Sequence, residues 1–116
     1  MTFYKDGTYE GKSEKTNESY YGRAEIILKS GKITTVDFQI IDGGGVVFDE
    51  KYGPAMFAGN DLYLQQCKDD LEGIKQYKDE LLSTQDIDQV DTISGATWSN
   101  RIFKETITEA LKNAGK

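Results

Sequence analysis

Four small residues in a row, Ser94-Gly95-Ala96-Thr97, stand just ahead of a stretch with helical periodicity, and they concentrate the chemistry of this chain. Gly95 lacks the side chain that would hold another molecule's atoms away from the backbone. Thr97 offers a hydroxyl near the first turn of the coming helix, where free N–H groups and the helix dipole favour an anion. Arg101, with Lys104 beyond it, can add charge-assisted contacts to a phosphate placed there. Asp91 lies upstream of Ser94, and Trp98 follows Thr97 directly. The cluster lacks a base. The chain contains no His, which excludes Ser-His-Asp catalysis, His-ligated zinc and imidazole acid–base work. Its one cysteine, Cys67, forms neither an internal disulfide nor a thiolate cluster, and no metal site is expected. These residues describe an anion site with an exposed hydroxyl and no catalytic machinery of its own. The plainer alternative makes Thr97 or Ser99 an N-cap and Gly95 a turn residue.

The elements that must position this cluster can be read from periodicity. With 116 residues, 37% hydrophobic and 29% charged, the chain is expected to fold as one soluble domain over residues 1–116. Asp6-Gly7 signals a turn before a short strand that runs to about Ser13, and a polar loop from Glu14 to Ser19 follows. From Tyr20 to Lys29, Ala24, Ile26 and Leu28 alternate with Arg23, Glu25 and Lys29. Ser30-Gly31 forms a two-residue hairpin loop, and Lys32 to Ile41 return with Thr34, Val36, Phe38 and Ile40 on one face. Val46 to Phe48 read as a further short strand, and Gly53-Pro54 as a break. Leu64, Cys67, Leu71, Ile74, Tyr77 and Leu81 then recur at three and four residues, which predicts a helix from Asn60 to Ser83, kinked or split at Gly73. A last helix is predicted from Ser99 to Asn113, with Gly115 as its stop. Strands first and helices second give an α+β fold, an antiparallel sheet of three to five strands packed against two main helices.

Other candidates are weaker. Trp98 either packs on the core or stacks on a bound ring, and Tyr20, Tyr21, Tyr52 and Phe57 are further ring contacts. Gly43-Gly44-Gly45 is no Walker loop, which needs Lys-Ser/Thr after its glycines, and reads as a flexible connector bordering the site. The acidic cluster Asp69, Asp70, Glu72, Asp79 and Glu80 reads as a solvated helix face, and Asn17-Glu18-Ser19 matches a glycosylation sequon. The formal net charge of −6 argues against nucleic acid, and no stretch is apolar enough to span a membrane.

Asp91-x-x-Ser94-Gly95-Ala96-Thr97 resembles the flavinylation motif Asp-x-x-Ser/Thr-Gly-Ala-Thr of the FMN-binding domain family. The opening Asp6-Gly7-Thr8-Tyr9-Glu10-Gly11, the Ser30-Gly31-Lys32-Ile33 hairpin and the Val90-Asp91 lead-in are similar too, so the resemblance covers most of the chain. It implies that Thr97 carries FMN through a phosphodiester, with AMP released from FAD by a separate magnesium-dependent flavin transferase. It implies that Gly95 and Ala96 admit the transferase and the phosphate. Asp91 is then part of the recognised motif, bonding the loop's own N–H groups. Domains of this kind occur in surface lipoproteins of Gram-positive bacteria and in redox-pump subunits. The implied role is therefore an extracytoplasmic electron carrier, not an enzyme. Its partners would be redox proteins or quinone and external acceptors, and the membrane would be reached only through an anchor or parent protein. Trp98 departs from the smaller or polar residue common after the Thr, and no lipidated Cys or second domain is present, which suggests an excised domain. Two other readings stay open: a module binding FMN or another phosphate ligand without a bond, and a flavin-free interaction domain.

Overall fold

The computed structural model describes residues 5–14 and 19–115. Tyr4 and the Asn17-Glu18 part of the sequon lie outside them. Alternation in the sequence becomes alternation in space: β1 (Gly7–Lys12), β2 (Tyr21–Lys29) and β3 (Lys32–Ile41) form an antiparallel sheet in the order β1-β2-β3. Ala24, Ile26 and Leu28 of β2 and Ile33, Phe38 and Ile40 of β3 face the core. Ser30 and Gly31 both have positive φ, +53° and +78°, the conformation in which a two-residue loop matches the twist of its strands. Lys29 accordingly pairs with Lys32. The expected strand at Val46–Phe48 shrinks to one bridge, Val47 to Ile41, with the Phe48 N–H donating to the Ile40 carbonyl. The residues at 53 and 54 do not break the chain but sit inside a one-turn helix, α1 (Tyr52–Met56), because Pro is tolerated in a first turn.

Helix α2 (Asp61–Thr84) runs unbroken, with the Asn60 side chain accepting from the Tyr63 N–H as its cap. Gly73 does not split it. A Cβ there would stand 2.5 Å from the Ala96 Cβ, so the glycine is what lets α2 approach the segment ahead of the last helix. A single 3-10 turn, Ile87–Gln89, leads into that segment. The last helix, α3 (Thr97–Ala114), begins two residues before the expected start and lies across β1 and β2, with Ile102, Phe103, Ile107 and Ala110 buried. Helix α2 packs along α3 and β3. The α+β architecture with two main helices stands as expected, and the segment rich in small residues falls where α2 and α3 meet.

Candidate functional site

The start of α3 is built from its neighbour. Ala96 holds the N-cap position and has no side chain to cap with, so neither Thr97 nor Ser99 is the N-cap that the plainer reading required. Asp70 does the work from α2. Its carboxylate accepts from the Ser99 N–H at 3.3 Å and the Ser99 hydroxyl at 2.7 Å, while Gln66 Nε2 donates to it at 2.8 Å. Asp70 is 2% exposed, so it is not part of a solvated acidic face. A buried carboxylate is tolerable here because three donors and the positive end of α3 surround it. Sequence reasoning missed this residue, although a signal was present. Asp70 falls three residues after Cys67 and four before Ile74, inside the apolar stripe of α2.

The turn before α3 is held by its carbonyls. Tyr77 Oη, fully buried, donates to the Ala96 carbonyl at 2.8 Å and accepts from the Ile93 N–H at 3.0 Å. Gln66 Nε2 donates to the Gly95 carbonyl at 2.8 Å, and the Ala96 N–H closes the turn on the Ile93 carbonyl. Gly95 has φ +86°, a backbone that requires glycine for its conformation as well as for access. The N–H groups of Thr97 and Trp98 make no bond to any described residue. Two donors at a helix N-terminus are therefore left unbonded.

Ser94, Gly95 and Thr97 are exposed while Ala96 is fully buried, so the segment is accessible in part and anchored at its centre. Thr97 and Arg101 are both exposed and four residues apart on α3, hence on one face, with the half-buried Lys104 one further turn along. Asp91 is exposed, and its side chain does not bond the loop's N–H groups as expected. Its own N–H donates to Glu80 Oε1 at 3.2 Å, and Tyr77 supplies the tie the loop needed.

Trp98 satisfies both of its readings. Its half-buried indole meets Tyr20 at 5.2 Å and Phe48 at 5.6 Å between ring centroids, both edge-on, and also walls a cleft of about 290 Å³. Tyr20, Phe48, Phe57, Tyr63, Gln66, Cys67 and Asp70 complete that cleft. Of the expected ring contacts, Tyr20 and Phe57 line it. Tyr52 stands behind them, and Tyr21 belongs to a different depression with Lys12 and Asp42. A larger groove of about 400 Å³ between α1 and α2 contains no motif residue. Burial, then the charge of Asp70, push the Cys67 thiol up from its ordinary value, so it stays a neutral wall group. Gly43-Gly44-Gly45 is a closed turn rather than a flexible connector, and it borders the Tyr21 depression instead of this cleft. Asp42 Oδ1 accepts from the Gly44 and Val46 N–H groups, and Tyr52 Oη donates to Oδ2.

Comparison with known proteins agrees with this geometry. The family model described as FMN-binding domain matches residues 16–112. A crystal structure of a Clostridium perfringens protein is similar at 26% identity and a TM-score of 0.65, covering 97% of this chain and 89% of that one. A solution structure of a Clostridium thermocellum protein shares the fold at 23% identity and a TM-score of 0.58, covering 97% and 93%. Among curated proteins nothing matches.

Proposed function

The chain belongs to the FMN-binding domain family, and from that premise we propose that Thr97 carries FMN as a phosphodiester, making the domain a flavin-tethered electron carrier. The observation that supports this reading most is the junction itself. An exposed Thr97 hydroxyl lies at a helix start with two free N–H donors, beside a cleft walled by aromatic rings. The residues fit the group. The Thr97 and Trp98 N–H groups and Arg101 would hold the phosphate. Trp98, Tyr20 and Phe57 would flank the isoalloxazine ring, whose planar faces suit aromatic walls. When bound, the flavin supplies the electron chemistry, and the protein supplies tether, exposure and field.

Attachment would fall to a separate flavin transferase, in keeping with a chain that has no His to act as the base. In that reaction a bond forms between the Thr97 oxygen and the inner phosphorus of FAD. The phosphoanhydride breaks, AMP leaves, and the hydroxyl proton passes to the transferase. A covalent link retains the cofactor where a lost one is not recaptured, which favours an extracytoplasmic role with redox proteins or quinones as partners.

The test is intact mass after incubation with a flavin transferase, FAD and magnesium. The expected gain is one FMN less one water, with colour that survives denaturation. Thr97→Ala abolishes the gain while unfolding as the wild type does, because Thr97 is exposed and caps nothing, and such substitutions stay within about 0.5 kcal/mol. Covalent flavin on Thr97→Ala overturns the assignment. Tight binding of free FMN with no mass gain selects the non-covalent module, which the same free N–H groups would serve.

A further inference from the structure

We propose that Asp70 sets the redox bias of the aromatic cleft, placing a fixed negative charge against the bound ring so that the cleft favours the oxidised flavin. The inference rests on the reading of that cleft as the ring site. Its observations are independent of the motif. Asp70 is the one charged side chain among the residues that line the cleft, and none of the salt bridges among the described residues involves it. Its carboxylate is almost wholly buried, and Ser99 and Gln66 hold it in place by three hydrogen bonds. Tyr20, Phe48, Phe57, Tyr63 and Trp98 make the surrounding wall largely apolar, where a charge is screened far less than in water.

Each electron that the ring accepts from an external donor adds one negative charge to it, and any proton that follows comes from solvent. Beside Asp70 that added charge is disfavoured. The same free energy appears as weaker binding of reduced than of oxidised flavin, and as a reduction potential shifted downward. The donor that loads this domain must then be more strongly reducing than one that would load the same cleft without the charge. Asp70 acts here through its field and by positioning the start of α3.

The experiment is a dithionite titration of the FMN-labelled domain as wild type, Asp70→Asn, Ser99→Ala and Asp79→Asn. Asp70→Asn keeps an oxygen to accept from Ser99 and removes the charge. It is expected to raise the equilibrium constant for one-electron reduction at least tenfold, an upward shift of about 59 mV. Asp79→Asn changes the net charge equally from an exposed position on the same helix and moves the constant less than twofold. Ser99→Ala keeps the charge and removes a donor that offsets it, so its constant falls. A potential for Asp70→Asn equal to that of wild type or Asp79→Asn overturns the proposal, as does a rise in Ser99→Ala. Where Asp70→Asn does not fold, the direction seen in Ser99→Ala decides. The mass gain reports separately on the covalent reading. In a domain that binds only free FMN, the affinity ratio of oxidised to reduced flavin replaces the potential, with the same tenfold difference expected. A domain that takes flavin in neither form overturns both.

Discussion

Two turns in this molecule are built from small residues, and they behave in opposite ways. At Asp42–Val46 the loop satisfies itself. The Asp42 carboxylate accepts from two N–H groups and the Asp42 carbonyl from a third, Gly45. At Ile93–Thr97 the holding groups come from elsewhere, Tyr77 and Gln66 from α2, and they grip mainly carbonyls. The first turn spends the Asp42, Gly44, Gly45 and Val46 N–H groups on itself and leaves only that of Gly43 without a partner among the described residues. The second keeps the Thr97 and Trp98 N–H groups free because its order does not depend on them. A run of glycines thus says little about anion binding until the destination of each backbone group is known.

The comparison breaks most sharply at Tyr77. Tyr77→Phe leaves the Ile93 N–H without its partner and takes one of three donors from the Ala96 carbonyl, which keeps the Asn100 N–H and the Ser99 hydroxyl, so a loss of about 1–3 kcal/mol in urea unfolding is expected. FMN labelling should slow markedly in the same variant, because the acceptor turn loses its tie. Gly73→Ala comes next. The added methyl meets Ala96, and overpacking of about 1–3 kcal/mol is partly offset by a helix-propensity gain of about 1 kcal/mol. Unchanged urea stability together with unchanged labelling would show that α2 does not brace the turn.

At the self-contained turn the expected effect is smaller and carries a pH signature. The Val46 N–H first, with the Tyr52 hydroxyl and the Gly44 N–H, holds the Asp42 carboxyl below its ordinary value of 3.8 against the opposing effect of desolvation. A lowered folded-state value means that its contribution is complete above the unfolded value and fades as pH falls through the folded one. The stability gap between wild type and Asp42→Asn should therefore be flat above about pH 5 and close below 3.8. Burial first, then Tyr20 and Asp42, push Tyr52 far above its ordinary range, so it remains a neutral donor throughout. Labelling of Asp42→Asn at neutral pH should match wild type; a large loss would join the two turns into one functional unit. Least affected in stability should be Ser94→Ala and Asp91→Ala, both exposed and without side-chain bonds to described residues, within about 0.5 kcal/mol. Slower labelling of either then reports recognition by the transferase alone.

How legible each part was follows from where its partners lie. The hairpin was readable because alternation and its turn are local, and Tyr21–Lys29 and Lys32–Ile41 lie within a residue of expectation. The span of α2 was readable from its stripe. The start of α3 was not, since its cap is a side chain 29 residues upstream and no local residue announces it. The motif pointed to Thr97, but not to the cleft. Phe48 and Tyr63 reach it from the segment before α1 and from α2, a convergence that only packing creates.

The direction of α3 has one more consequence. Glu105 near its middle accepts from the Glu14 N–H, and Asn113 near its end donates to the Glu10 carbonyl, so α3 runs antiparallel to β1. Residue 115 thus lies alongside β1, at the opposite end of α3 from Thr97. Eighteen helical residues at 1.5 Å each put about 27 Å between Thr97 and the exit of the helix. A partner held against the far end of α3 would therefore stand a full helix length from the Thr97 hydroxyl and from the aromatic cleft beside it.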